Sequence, residues 1–371
     1  MSEIKIEVLS PVHIGSGNIL QNNTDFVTTD NGVDYFIRVV DDRKVLELIG
    51  IEHMNDWLLS IERKENTKEF IKRFAPNSKV ADYSKRRLTD YSQGINPNDT
   101  LKEHIHNGMG LPYIPGSSIK GSIRTAILAS LSAKINNKES IIKTGKTDYF
   151  GNLLLTASKI EKELFGKDPN SDIFRFIHVG DAYFEKDSEI ALRVVSINIR
   201  KGDDLHDNSK PQLIEAINNG VSSTFEMKIA KDYYDWVKNK FRDMGNLPIE
   251  ISSLSNLFML INAHTEKLVV SELEYWKEIN KTGAEEYIDN IEGILNSIRS
   301  CEKGRECVLR IGHASGWRFI TGAWTEELTN FKEVVIPASR PRNNNYIEYD
   351  FPKSRRIDED SDVLGFVKLS L

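Results

Sequence analysis

Cysteine and long apolar runs are both scarce in this sequence. Its two cysteines, Cys301 and Cys307, come with no further cysteine or histidine pair at zinc-finger spacing, so neither a disulfide framework nor a structural zinc site is predicted. No apolar run is long enough to cross a bilayer, and residues 1–9 alternate isoleucine and valine with charged residues instead of forming a signal peptide's apolar block. We therefore expect a cytoplasmic protein with reduced thiols and no membrane partner.

An excess of positive charge is also missing, because 49 Lys and Arg face 55 Asp and Glu, for a net charge of −6 at pH 7. This balance excludes a protein that coats nucleic acid with its whole surface. Any RNA-binding surface must be local, and two stretches are rich in cations. They are residues 116–134, with Lys120, Arg124 and Lys134, and residues 339–356, with Arg340, Arg342, Lys353, Arg355 and Arg356. On charge alone, such stretches are more often solvated surfaces than binding sites.

The first part of the sequence predicts strands followed by helices. Ile4, Ile6 and Val8 alternate with polar residues, which is the period of a half-buried strand. Asn31-Gly32 lies between two short apolar runs and predicts a tight hairpin. Helical spacing of apolar residues predicts helices over 41–74, with a break near Gly50, and over 119–131. Residues 75–112 have little apolar periodicity and are predicted to form a long connection or an insertion.

The second part repeats this order of strands and helices. Alternating patterns predict strands between residues 174 and 229, helical spacing covers 254–300, and short strands are expected at 308–311, 333–336 and 363–369. A chain of 371 residues is long enough for two domains with full hydrophobic cores. The repeated order favours an α+β fold of two ferredoxin-like (RRM-like) domains, over residues 1–170 and 171–371, with helical insertions and glycine-rich loops.

Three segments combine glycine with serine and a basic residue. They are residues 10–17 (SPVHIGSG), 113–126 (YIPGSSIKGSIRTA) and 310–317 (RIGHASGW). Glycine lets a backbone approach a phosphate closely, and exposed amides at the start of a helix donate to an anion. Lys120 and Arg124, four positions apart, would share one helical face and neutralise phosphate charge. Because each segment alone is more often an ordinary turn, only their combination is informative.

Taken together and in this order, the three segments resemble the RAMP superfamily proteins of type III CRISPR systems. The segment at 113–126 is the most specific of the three, and the resemblance extends from Ser10 to Trp317. The order of the three segments, the chain length and the sequence Gly-His-Ala-Ser-Gly-Trp resemble those of one family within that superfamily. Its members cap the 3′ end of the crRNA in the type III-A (Csm) effector complex, as the fifth Csm subunit.

The resemblance implies a non-catalytic RNA-binding subunit that supports crRNA maturation and antiviral interference, without a cofactor or metal. It implies binding to the 3′ region of the crRNA and to other Csm subunits, chiefly the backbone RAMP subunit and the small helical subunit. Target RNA and host ribonucleases are further candidate partners. Carried over to matching positions, the implied RNA or partner contacts are His13, Gly15, Ser16, Gly17, Gly116, Ser117, Ser118, Lys120, Gly121, Arg124, Gly312, His313, Ser315, Gly316 and Trp317.

Two alternatives within the same superfamily stay open, a RAMP endoribonuclease and a backbone-type crRNA-binding subunit that cleaves RNA. His13 and Asp25 are the candidate catalytic residues, but general acid and base catalysis needs a second titratable partner that the sequence does not identify. A nucleotide hydrolase is disfavoured, because Thr144-Gly145-Lys146-Thr147 lacks the first glycine and the preceding strand of a P-loop.

Overall fold

The protein is described by a computed structural model that covers residues 2–149, 151, 153–156, 158–200, 205–240, 246–320, 322–336 and 349–371. The strands in these ranges are β1 (Ser2–Val8), β2 (Gly15–Gln21), β3 (Phe26–Asp30), β4 (Tyr35–Val40), β5 (Ser84–Asp90), β6 (Thr100–His104), β7 (Tyr113–Ile114), β8 (Lys143–Thr147), β9 (Leu153–Leu155), β10 (Ile177–Val179), β11 (Ala182–Tyr183), β12 (Glu189–Arg200), β13 (His206–Ile217), β14 (Ser222–Ile229), β15 (Glu306–Arg310), β16 (Tyr349–Asp358) and β17 (Phe366–Ser370). The α-helices are α1 (Asp42–Ile49), α2 (Met54–Glu62), α3 (Thr67–Phe74), α4 (Gly116–Ser132), α5 (Lys138–Ile141), α6 (Ser158–Phe165), α7 (Lys231–Lys240), α8 (Leu254–Ile279) and α9 (Glu285–Arg299).

One of the two large sheets has five antiparallel strands in the order β10-β14-β1-β17-β15. Ile4, Ile6 and Val8 of β1 are buried, because the two-residue period of the strand places them all on its inner face. Helix α4 packs on this face with Ile119 and Ile123, which belong to the same hydrophobic cluster. The largest core of the protein therefore lies between this sheet and the helices that cover it.

The second large sheet has eight strands, in the order β2-β6-β13-β12-β5-β4-β3 with β16 paired to β12. Two of its pairings are parallel, β12 with β5 and β13 with β6. The segment between β1 and β2 passes from the first sheet to the second, and Val12 bridges to Ile217 at the end of β13 on the way. The first glycine-bearing segment therefore lies where the two sheets meet.

Several sequence-based predictions are confirmed, including the α+β class, the hairpin of β3 and β4, and the helix that follows the glycine turn at 116. The ferredoxin-like form of each half stays a prediction. The boundary at residue 170 also stays a prediction, and each large sheet combines strands from both sides of it. Among the described residues, no helix is both long enough and apolar enough to cross a membrane.

Two local predictions are wrong. Residues 75–112, predicted as a long connection or an insertion, instead contribute β5 and β6 to the eight-stranded sheet. Residues 333–336 do not form a strand, because a π-helical turn covers Phe331–Val335. The predicted basic stretch at 339–356 lies in part outside the described residues, including Arg340 and Arg342.

Candidate nucleic-acid interface

The three glycine-bearing segments meet at one cleft with a volume of about 710 Å³. Eight of the residues implied by the family resemblance line it: His13, Gly15, Gly17, Ser118, Gly121, Gly312, His313 and Ser315. Ser16 lies at its edge, where its hydroxyl donates to Glu103 at 3.1 Å, and Glu103 itself lines the cleft. The structure thus brings together segments that are far apart in the sequence.

The first and third segments are joined directly through their backbones. The N–H of His313 donates to the carbonyl oxygen of His13 at 2.9 Å, and the two imidazole rings lie 5.6 Å apart in an edge-to-face arrangement. Gly312 has a φ of +80°, and a Cβ atom there would lie only 2.6 Å from the same carbonyl oxygen. Glycine at 312 is therefore required by a close approach within the protein itself.

His13 is a buried side chain, with 3% of its surface exposed. Its Nδ1 lies 2.6 Å from the carbonyl oxygen of Glu215 on β13. Burial lowers the pKa of His13, and the positive charge of Lys102 adds to that effect while the hydrogen bond to Glu215 opposes it. His13 thus fastens the first segment to the eight-stranded sheet as a hydrogen-bonding residue.

Asp25, the other candidate catalytic residue, is not among the described residues that line the cleft. Its carboxylate accepts the backbone N–H of Gln21 at 2.7 Å, across the turn between β2 and β3. This contact gives Asp25 a local structural role at that turn.

Helix α4 presents two different sides to the surface. Ser118 and Gly121 line the cleft, whereas Ser117, Lys120 and Arg124 line a neighbouring groove of about 780 Å³. Both cations of the second segment therefore lie in the neighbouring groove and not in the cleft, and Gly121 borders both depressions.

Arg124 already has partners within the protein. Its guanidinium lies 3.0 Å from Asp172 and 3.2 Å from Glu161, and 4.2 Å over the ring of Phe165. Burial lowers the pKa of the neighbouring Lys120, although the charge of Asp172 raises it. Phosphate binding by these two cations stays a prediction, and acidic side chains would compete with a phosphate for them.

Gly116 has a packing role, since it is buried and its N–H donates to Asp181 at 2.7 Å. A side chain at this position would collide with the backbone of Val179 and Gly180. Trp317 packs against the main core and lies 5.6 Å from the ring of Phe331. Base stacking by Trp317 stays a prediction.

Two cations lie at or beside the cleft: Lys102, which the sequence does not identify, and Arg356, which the sequence places only in the basic stretch at 339–356. Lys102, on β6, lines the cleft and donates to Gln212 at 2.6 Å. Arg356 donates to the same amide at 3.2 Å, and its NH1 lies 3.2 Å from Nε2 of His313. Burial lowers the pKa of His313 to about 4, and the charges of His13, Arg356 and Lys102 add to this effect. A neutral imidazole beside two cations gives this part of the cleft the character of an anion-binding surface.

Backbone amides, serine hydroxyls and cations, which the cleft combines, are the groups that contact phosphate oxygens in nucleic-acid complexes. The sequence model of the RAMP superfamily matches residues 5–358. This protein belongs to the RAMP superfamily.

Two curated relatives carry the name "CRISPR system Cms protein Csm5". The one from Streptococcus thermophilus is 27% identical over 196 residues, which cover 48% of this chain and 51% of that protein. The one from Methanocaldococcus jannaschii is 23% identical over 320 residues, which cover 76% of this chain and 68% of that protein. The chain thus matches only about half the length of the first relative. These matches confirm the resemblance to the fifth Csm subunit that the sequence motifs indicate.

Solved structures show the same fold. A chain in the cryo-EM structure of a Csm-crRNA-target RNA ternary complex of a type III-A CRISPR-Cas system aligns over all of both chains, with a TM-score of 0.69 and 20% identity. The crystal structure of Csm5 from T. onnurineus aligns with 99% of this chain and 100% of that one, with a TM-score of 0.66 and 19% identity.

Proposed function

We propose that this chain is a non-catalytic, RNA-binding subunit of a type III-A CRISPR effector complex. In this role it caps the 3′ end of the crRNA and supports crRNA maturation and antiviral interference. The proposed partners are the 3′ region of the crRNA, the backbone RAMP subunit and the small helical subunit. Target RNA and host ribonucleases are further proposed partners.

The observation that carries the proposal is the convergence of three glycine-bearing segments and Lys102 on one cleft, with Arg356 beside it in contact with His313. Backbone amides and small residues allow a sugar-phosphate chain to approach closely, and Lys102 and Arg356 supply the positive charge. A net charge of −6 requires RNA binding to be confined to such a surface. The names of the curated relatives support the Csm assignment.

Reconstitution of the effector complex with charge-reversed variants tests the proposal. In Lys102→Glu/Arg356→Glu, the cleft loses one cation and its margin beside His313 loses another, so the complex should incorporate less crRNA, and sequencing should find altered 3′ ends. For a single strand, each phosphate contact contributes about −0.7 to the slope of log binding constant against log salt concentration. The magnitude of this slope should therefore be smaller by about 1.4 in the double variant.

The matched control is Lys64→Glu/Lys303→Glu, which reverses the same number of charges at exposed positions outside the cleft. This control should assemble and bind crRNA as the wild type does. The proposal fails if the cleft variant, folded by circular dichroism, keeps the crRNA content, 3′ ends and salt slope of the wild type.

An endoribonuclease is the second candidate, and one observation favours it. His13 and His313 lie side by side at the cleft, which supplies the pair of titratable groups that the sequence alone does not identify. Two contacts argue against it, since Nδ1 of His13 is engaged by Glu215 and Nε2 of His313 faces Arg356. A backbone-type subunit would instead form filaments of several copies on one crRNA, which the stoichiometry of the reconstituted complex distinguishes from a single cap.

A further inference from the structure

A second polar cluster lies behind the cleft, in the eight-stranded sheet. His106 follows β6, Glu189 begins β12, and Glu215 lies on β13. Ala191 is the partner of Glu215 in the antiparallel register, so Glu189, two residues earlier, is the diagonal neighbour of Glu215 on the same face. One ligand atom from each of the three side chains lies within 4.8 Å of the other two.

The charges of this cluster do not balance within the protein. Arg86 is shared by two carboxylates, with NH2 lying 2.6 Å from Glu215 and 3.0 Å from Glu103. Glu189 adds a third carboxylate, and its side chain is only 1% exposed. Glu103 also pairs with the more exposed Lys85 at 3.5 Å, so with a neutral His106 three carboxylates face two cations, and the remaining negative charge would be offset by a bound cation.

Glu189 has an unused ligand atom in this buried position. Its Oε2 lies 2.9 Å from Nε2 of His106, whereas its Oε1 has no hydrogen-bond partner among the described residues. A buried carboxylate oxygen without a donor is costly, so its retention calls for a partner that protein atoms do not supply.

The neighbouring His104 is excluded as a ligand by its own hydrogen bonds. Its Nδ1 accepts the backbone N–H of Ile14 at 3.1 Å, which leaves Nε2 to donate to the carbonyl oxygen of Tyr113 at 3.2 Å. Both ring nitrogens are therefore engaged by the backbone. The candidate ligand set is one imidazole and two carboxylates.

We propose that His106, Glu189 and Glu215 bind a first-row divalent transition metal, for which Zn²⁺ is the appropriate probe. One imidazole nitrogen with carboxylate oxygens is a ligand set that suits zinc, whereas calcium and magnesium prefer oxygen ligands alone. The metal would link β12 and β13 to the segment after β6. The carbonyl oxygen of Glu215 also forms a hydrogen bond with His13, so the metal would restrict the motion of the cleft residue His13. The sequence predicts no metal site, because these three residues follow no zinc-binding spacing along the chain.

Metal titration of the full chain tests this proposal independently of any RNA function. After treatment with EDTA and desalting, the wild type should bind one Zn²⁺ per chain by calorimetry, retain it on a second desalting, and melt at a higher temperature. Glu189→Gln and His106→Ala each remove one of three ligands and should weaken Zn²⁺ affinity by at least about tenfold. His178→Ala is the matched control, since it removes an exposed histidine elsewhere and should bind as the wild type does.

X-ray absorption of the zinc-loaded wild type gives a second measurement that does not depend on how the variants fold. The expected first shell contains only nitrogen and oxygen at about 2.0–2.1 Å. A sulfur shell at about 2.3 Å would assign the zinc to Cys301 or Cys307 and overturn the proposal. Failure of the wild type to retain zinc, or equal retention by both folded ligand variants, would also overturn it.

Discussion

The backbone N–H of His313 donates a hydrogen bond to the carbonyl oxygen of His13 at 2.9 Å. This bond joins the segment between β1 and β2 to the segment that follows β15, and both line the candidate RNA cleft. Gly312 lies directly over the bond, with no room for a side chain. The shape of the cleft therefore depends on Gly312, which is needed for a close contact within the protein and not for contact with RNA.

Replacing Gly312 by alanine should destabilise the protein. The new Cβ atom would lie 2.6 Å from the carbonyl oxygen of His13, at a φ of +80° that residues with a side chain adopt only with strain. We expect the free energy of unfolding in urea to fall by about 2–4 kcal/mol, the sum of backbone strain and the displaced contact.

Gly316→Ala is the control for this prediction, because its φ of +79° is nearly the same and no other described atom lies within 4 Å of the added Cβ. Only the strain of a left-handed backbone should appear there, about 1–2 kcal/mol. Equal losses in the two variants would show that the contact with His13 does not constrain position 312.

Arg124 and Lys120 should respond differently to neutralisation. Arg124→Gln removes contacts with Asp172, Glu161 and the ring of Phe165, so we expect a loss of about 1–2 kcal/mol in the free energy of unfolding. Lys120→Gln should change stability by less than about 0.5 kcal/mol, because that side chain is partly exposed. A larger loss for Lys120→Gln than for Arg124→Gln would contradict the structural role given to Arg124.

The parts of the fold that the sequence predicts are those in which apolar periodicity decides the structure. β1 and α4 have regular apolar stripes, and both are buried as expected. The sequence does not predict β5 and β6, because charged residues occupy inward positions on both strands. Arg86 on β5 and Glu103 on β6 pair with each other. Ion pairing between strands replaces the apolar alternation there, and the pairing is not visible in a local window of sequence.

The candidate site is predictable to a similar extent. Glycine and serine patterns identify the three segments, yet they do not separate glycines that line the cleft from Gly116, which packs against Val179 and Gly180. Lys102 lies in a segment without periodicity, and only the sheet brings it beside Gln212 and Arg356. Contacts between distant segments therefore decide which cations face the cleft.

The isolated chain should not cleave single-stranded RNA, with or without a divalent metal. Nδ1 of His13 is engaged by the carbonyl of Glu215, and burial lowers the pKa of both His13 and His313, so an imidazolium acid is disfavoured at pH 7. The measurement is a gel assay with labelled RNA and purified protein. Cleavage that is abolished by His13→Ala or Asp25→Ala, but not by His178→Ala, would establish the endoribonuclease instead.

Glu272 should make the protein sensitive to acid. Its carboxylate lies 2.6 Å from Arg355 and 3.0 Å from Arg318, and it accepts a hydrogen bond from Trp276 at 2.8 Å. Burial alone would raise the pKa of Glu272, but the charge of Arg355, with Arg318 and Trp276, lowers it to about 2. Since the folded pKa lies below the unfolded value of about 4.3, the unfolded state binds more protons between these values. The stability contributed by this carboxylate is therefore present above about pH 5 and is lost as pH falls toward 2.

Urea unfolding at several pH values, with Glu272→Gln as the variant, measures this contribution. At pH 7 the variant leaves Arg355 largely buried without its counter-ion, while Arg318 keeps Glu326, so its free energy of unfolding should be lower by about 3 kcal/mol. The difference from the wild type should shrink as pH falls from 5 to 2, because the wild-type carboxylate becomes protonated there. Glu266→Gln is the matched control, since Glu266 pairs with Arg299 at an exposed position and should contribute no more than about 1 kcal/mol. A difference between Glu272→Gln and the wild type that stays constant from pH 7 to pH 2 would show that the Glu272 carboxylate does not titrate with a lowered pKa in the folded protein.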